Sequence, residues 1–265
     1  MGSKRVKSLA RKKNYRNMEQ RLYRRLVHGQ LKPQQITVQE SDLMVYSADD
    51  VPAEAIKELV IEQRGYLEGY IQRFPEFLRS LVPWAEDRLA PPIVQSMIQA
   101  GKKAGVGPMA AVAGAVAEQV GQKLLQQTSE IIIENGGDVF IKAKHSLNIA
   151  VFAGHSPLSM RFGLHIDSME RPVAVCTSSG SVGHSYSRGA ADAVSIIGTS
   201  CPLADAVATA VGNRVSTRSD IQSAIEWARD IEGVEGVLVI IGDKMGTWGK
   251  VRLIPLQQRT TAPVS

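Results

Sequence analysis

Two apolar runs, Ile131-Ile132-Ile133-Glu134 and Val139-Phe140-Ile141, are joined by nothing more than Asn135-Gly136-Gly137-Asp138. A connection that short cannot carry a crossover, so the two runs must be antiparallel neighbours in a hairpin. Gly236–Ile241 and Trp248–Ile254, on either side of Gly242-Asp243-Lys244-Met245-Gly246, make a second hairpin by the same argument. Further strands are expected at Ile36–Tyr46, Leu147–Phe152, Arg161–Ile166, Val173–Cys176 and Ala193–Ile197. Helical spacing marks the stretches between them. Hairpins alternating with helices predict an α+β fold, an antiparallel sheet with packed helices, and argue against a doubly wound parallel sheet.

The helices are read from periodicity and from proline and glycine punctuation. Apolar residues from Ala55 to Leu67 give an amphipathic helix reaching Arg73. Pro75 opens a short helix over Glu76–Leu81, and Pro91-Pro92 opens another over Ile93–Ala104, stopped by Gly105. Val106 to Glu118 is a helix so poor in bulk that its backbone must be closely approached, by packing or by a ligand. Pro202–Ala210 is a further helix, and Ser219 or Asp220 caps one carrying Ile221, Ala224, Ile225, Ala228 and Ile231.

Charge divides the chain. Residues 1–32 hold eleven Lys/Arg against Glu19, a balance of +10, so the remainder carries −5 of the chain's net +5. Residues 1–20 are therefore read as a basic, flexible arm, with helical spacing over Tyr15–Gly29. Residues 21–255 are a single domain, and 256–265 a polar tail. No later segment interleaves basic and aromatic residues, which argues against a nucleic-acid partner. No apolar run approaches the roughly 20 residues of a membrane span, and the basic N-terminus lacks the apolar stretch of a secretory signal. A cytoplasmic location is expected, and oligomeric state is not legible. Cys176 and Cys201 have no disulfide or metal-ligand spacing and are read as buried thiols.

The chemistry-bearing residues cluster around 175–213. Asp205 and Thr209, four residues apart on the small-residue helix, share one face and are hard oxygen donors suited to Mg²⁺. Before them, Ser178, Ser179, Gly180 and Ser181 form a loop whose hydroxyls and amides could hold phosphate oxygens of a small-molecule ligand. His184 is the candidate general base, and Arg188 could pair with a phosphate. Glu134 and Asp138 read as ordinary hairpin carboxylates by position alone.

Together these residues resemble the ApbE superfamily, which includes magnesium-dependent flavin transferases. Cys201-Pro202-Leu203-Ala204-Asp205-Ala206-Val207-Ala208-Thr209-Ala210 is similar to that family's alanine-rich metal motif, and Asn135-Gly136-Gly137-Asp138 to its turn beside the flavin nucleotide. Thr177-Ser178-Ser179-Gly180 followed by His184 is similar to its Ser-Gly segment and histidine. The resemblance is closer to a shorter ApbE-like family of prokaryotic proteins, from about Arg21 to Leu253. It implies Mg²⁺ at Asp205 and Thr209, and FAD or FMN against Asn135, Gly136, Gly137, Asp138 and the Ser/Gly loop. The implied activity is Mg²⁺-dependent flavin nucleotide transfer or a hydrolase-like cleavage. Some members of the shorter family are associated with homocysteine formation. That implies, as the alternative, an accessory or sulfur-transfer role resting on an activated Cys176 thiol. The sequence departs from the flavin transferases in four places. Ala113 stands where their lysine would be, and Glu118 where an Asp would be. No Met-Gly-Thr segment occurs around Ile36–Tyr46, and Ser185–Gly189 lacks their proline.

Overall fold

The computed structural model describes residues 31–167, 170–179 and 189–256. The basic arm over 1–20, the helix over Tyr15–Gly29, and Gly180, Ser181, His184 and Arg188 lie outside the described residues.

The strands are β1 (Lys32–Val38), β2 (Ser41–Ser47), β3 (Ile131–Asn135), β4 (Asp138–Lys142), β5 (Leu147–Ala150) and β6 (Phe162–Ile166). They continue with β7 (Val173–Ser178), β8 (Ala193–Gly198), β9 (Val234–Ile241), β10 (Lys244–Gly249) and β11 (Arg252–Pro255). Eight form one sheet in the order β1-β2-β3-β4-β7-β8-β9-β10, and three form a second in the order β11-β6-β5. Every paired neighbour is antiparallel. The helices are α1 (Ala53–Arg73), α2 (Pro92–Ala104), α3 (Val112–Leu124), α4 (Cys201–Arg214) and α5 (Asp220–Arg229).

The central strands of the large sheet are buried on both faces, which is why they read as continuous apolar runs and not as alternating ones. Ile131, Ile133, Phe140, Ala174 and Cys176 join the helices in one core. Ile132, Val139, Ile141, Val173 and Val175 join the small sheet in another. The two-residue side-chain period has a consequence for function. If Phe140 points at the helices, so does Asp138; if Ile133 does, so does Asn135; if Cys176 does, so does Ser178. The polar ends of β3, β4 and β7 therefore face the helix layer.

Four expectations are corrected. The single strand over Ile36–Tyr46 is a hairpin, β1 to β2, turning at Gln39, whose φ is 52°. No glycine marks that turn; Arg64 of α1 holds it instead, donating to Gln39 Oε1, Glu40 Oε2 and Ser41 Oγ. The strand over Trp248–Ile254 is two, because Gly249 at φ 74° breaks it. β10 stays in the large sheet while β11 crosses to the small one. The short helix over Glu76–Leu81 is a 3-10 turn, Pro75–Leu78. The small-residue helix begins as a 3-10 turn at Pro108–Ala111 and then runs as α3 to Leu124.

Candidate functional site

α4 is the buried axis of the helix layer. Every residue from Cys201 to Gly212 is buried, and such a helix is apolar all round unless a polar group has a purpose. Over that stretch its polar side chains are the Cys201 thiol, Asp205 and Thr209. Its start is fixed by Glu118 of α3, whose Oε2 accepts the Cys201 N–H at 2.6 Å. Burial raises the Glu118 carboxyl, and the bonds from the Cys201 amide and the Ser200 hydroxyl oppose the rise. A carboxylate at a helix N-terminus is favoured by the exposed amides and the helix dipole. Here it comes from a different helix, so no local capping pattern could have shown it.

Four positions on, Asp205 Oδ2 accepts the Gly114 N–H at 3.1 Å. The small-residue character of α3 is explained at this contact. A Cβ on Gly114 would lie 2.4 Å from the Cys201 carbonyl oxygen and 3.0 Å from Asp205 Cβ. At Gly121 a Cβ would lie 2.3 Å from the Phe140 ring. Of the two explanations for the helix's lack of bulk, packing is the one these glycines meet. Next to it, Asn135 Nδ2 donates to the Ala113 carbonyl at 3.0 Å, tying the β3–β4 turn to the start of α3. Gly136 (φ 66°) and Gly137 (φ 110°) make that turn, and Gly137 N–H donates to Glu134 Oε1 at 2.9 Å. Glu134 is thus a hairpin carboxylate, as expected.

Asp138 is not. It is 5% exposed and lies against the Asp205 carboxyl, the Cys176 thiol and the Thr177 amide. Burial pushes the Asp138 carboxyl well above the usual carboxylate range, and the Asp205 charge adds to the rise. Burial likewise pushes Asp205 up to about 7, against the pull of the Gly114 and Ala113 amides and of Asp138. Asp138 Oδ1 and Thr209 Oγ1 are among the buried side-chain atoms of the described residues that have no hydrogen-bond partner. Buried polar atoms are seldom left so, and each such atom calls for an explanation such as an ion or a ligand.

The structure therefore brings together Asn135, Gly136, Gly137, Asp138, Asp205 and Thr209. Ser178 and Ser179, at and just beyond the end of β7, are half-buried. Gly137 lies near the carbonyl of Thr177, which sets the end of β7 beside the turn. The activated Cys176 thiol is corrected. It is fully buried, donates to the Cys201 carbonyl at 3.4 Å, and is pushed well above the usual thiol range by burial and then by Cys201, Asp138 and Asp205. A thiol held protonated in such surroundings is a poor nucleophile. Among the described residues no three of His, Cys, Asp and Glu form a metal cluster; the oxygen donors gathered here are the buried Asp138 and Asp205 carboxyls and the Thr209 hydroxyl. Such a hard set fits Mg²⁺ and not a softer metal. Sequence reasoning missed the Asp138–Asp205 contact and the Glu118 cap. The β4 alternation puts Asp138 on the face of Phe140 but does not choose which face meets the helices.

The pair has a pH signature without divalent ions. Burial holds the Asp205 carboxyl up to about 7 in the fold, against about 4 in the unfolded chain. The folded state thus holds a proton that the unfolded state has lost between those values. The resulting stabilisation is complete below about pH 4 and disappears as pH rises through about 7. We expect the urea midpoint of the metal-free protein to fall from pH 5 to pH 8, and Asp205→Asn to flatten that fall.

Comparison with known proteins agrees with this architecture. The family model described as "AbpE bacteria" matches residues 24–252, and the chain belongs to that family. It is 38% identical over 221 residues to the UPF0280 protein of Methanococcus aeolicus, covering 82% of this chain and 89% of that one. It is also 38% identical over 232 residues to a UPF0280 protein of Methanocaldococcus jannaschii, covering 85% and 94%. Among solved structures, the apo flavinyl transferase ApbE of Pseudomonas stutzeri superposes with a TM-score of 0.55 at 12% identity, covering 83% of this chain and 94% of that one. The flavin transferase ApbE of Vibrio cholerae does so with a TM-score of 0.54 at 11% identity, covering 84% and 97%. At such identities the likeness is one of fold. Among the described residues no helix is long and apolar enough to cross a membrane.

Proposed function

We propose, from membership in that family and from the geometry at α4, that this chain binds a phosphate-containing small molecule together with Mg²⁺. A flavin nucleotide, FAD or FMN, is the first ligand to test, because the proteins that share the fold include ones named as flavin transferases. One observation carries the reading. The sole carboxylate and sole hydroxyl on the fully buried span of α4 stand one turn apart, and Thr209 Oγ1 finds no partner among the described residues.

Asp205 and Thr209 would hold the cation. Gly114 N–H fixes Asp205, and the Glu118 bond to Cys201 fixes the helix that carries both. Asn135, Gly136 and Gly137 would meet the ligand on one side. Ser178 and Ser179, with Gly180 and Ser181 beyond the described residues, would meet its phosphate oxygens on the other. A bound Mg²⁺ supplies positive charge for phosphate oxygens, and such a site suits nucleotide transfer or cleavage. His184, also beyond the described residues, remains the candidate base. No such support attaches to sulfur transfer, whose thiol is buried and protonated.

The test is a titration of the purified protein with FAD, FMN and ADP, in Mg²⁺ and in EDTA. Affinity at least about tenfold higher with Mg²⁺ is expected, as for a cation shared between carboxylate and phosphate. Equal affinity in the two buffers, or no binding of any of the three, would sink the proposal.

A further inference from the structure

The contact between Asp138 and Asp205 is the least explained feature of the molecule. Both carboxyls are buried, at 5% and 7% exposure. Among the described residues no Lys, Arg or His stands among the groups acting on either. Two buried like charges side by side are unfavourable, and the protein must supply either a proton or a cation between them. A shared proton would settle the charge but not the geometry. It would leave Asp138 Oδ1 and Thr209 Oγ1, both buried, with nothing to bond among the described residues. A cation would satisfy both oxygens together with Asp205.

We propose that Asp138 is a third protein ligand of the cation, so that the site is built from two carboxylates and one hydroxyl, contributed by β4 and by α4. This rests on the reading that Asp205 and Thr209 hold a cation, and it moves Asp138 from the nucleotide's side of the turn to the metal. Two negative charges select a divalent over a monovalent ion. Three protein oxygens on an octahedral ion leave positions for water and for ligand phosphates, the usual arrangement for Mg²⁺. The turn then has a second purpose. Gly136 and Gly137 reverse the chain so tightly that Asp138 enters β4 at its first residue, on the face it shares with Phe140, toward α4. The cation ties the sheet to the helix layer at that point, and ligand-free protein should gain stability from the ion alone.

The probe is Mn²⁺ without nucleotide, with free ion followed by electron paramagnetic resonance, on wild type, Asp138→Asn and Asp205→Asn. Thermal melts confirm that each variant folds. We expect both variants to bind at least about tenfold more weakly, the scale on which even loss of an outer partner is felt. Infrared difference spectra of the wild type on adding Mg²⁺ give a readout that needs no variant: two carboxyl groups should change. Mn²⁺ affinity of Asp138→Asn within tenfold of wild type, or a single changing carboxyl in the wild-type spectrum, overturns the proposal. If Asp205→Asn binds as wild type does, it is the assignment of Asp205 that falls, and Asp138 is judged by its own variant. A wild type that binds no Mn²⁺ removes both.

Discussion

Asp205→Asn should abolish the Mg²⁺-dependent part of nucleotide binding and, in the same protein, raise the stability of the metal-free fold. The two effects have opposite signs for one physical reason. The carboxylate is buried in contact with a second acid, so in the absence of a cation its charge is a cost to folding, of the order of a few kcal/mol. Asparagine keeps the shape and still accepts the Gly114 N–H through its amide oxygen. Its amide nitrogen can donate toward Asp138. The metal-free urea midpoint at pH 8 should therefore rise. The cation loses a charged ligand, and we expect nucleotide affinity in Mg²⁺ to fall by at least about tenfold, roughly 1.4 kcal/mol. In EDTA the variant and wild type should bind alike. A purely structural acid would give the reverse pattern: lower stability and unchanged affinity in Mg²⁺. Urea melts and nucleotide titrations on the same two proteins separate the cases.

How much of this was legible follows from which signals are local. The β3–β4 hairpin was readable because Asn-Gly-Gly-Asp gives a turn of a known kind between two apolar runs. α2 was readable because Pro92 opens it and Gly105, at φ 68°, closes it. The β1–β2 hairpin was not, since its turn is held by Arg64 from a helix more than twenty residues away, and Gln39 gives no hint of a left-handed conformation. The break between β10 and β11 depends on a carbonyl of β9. A Cβ at Gly249 would lie 2.2 Å from the Glu235 oxygen, and that closeness exists only after the sheet has formed. At the site the same division holds. Asp205 and Thr209 share a face by helical spacing alone. That Asp138 faces them depends on β4 presenting its even-numbered side chains to the helices, which alternation allows but does not choose. Glu118 at the head of α4 joins residues 83 positions apart, and no periodicity reports that. Cys176 and Cys201 are buried, as their lack of any disulfide or metal-ligand spacing suggested; only the alternative of an activated Cys176 thiol fails, because α4 covers the strand that carries it.

The glycines of two helices separate packing from propensity. Gly114→Ala should destabilise the protein and loosen the cation site, while Gly65→Ala and Gly69→Ala in α1 should stabilise it. Chemically the three changes are identical. Helix propensity favours alanine by about 0.8–1 kcal/mol at each. At Gly65 and Gly69 a new Cβ meets nothing within 4 Å, so the propensity gain stands. At Gly114 it would meet the Cys201 carbonyl oxygen at 2.4 Å and carbonyl carbon at 2.7 Å. Those are backbone atoms at the head of α4 and cannot rotate away, so the helix must shift. Overpacking in a close-packed core costs about 1–3 kcal/mol, and rigid backbone places this site at the upper end. The net loss of about 1–2 kcal/mol corresponds to a melting temperature lower by several degrees, at roughly 2–4 °C per kcal/mol in a chain of this size class. The shift also carries Asp205 away from the Gly114 N–H that fixes it, so Mn²⁺ affinity should fall with stability. Thermal melts of the three variants, with Mn²⁺ titration of Gly114→Ala, provide the check. A Gly114→Ala protein as stable as wild type, binding Mn²⁺ unchanged, would mean that α3 and α4 are not held as closely as the site requires.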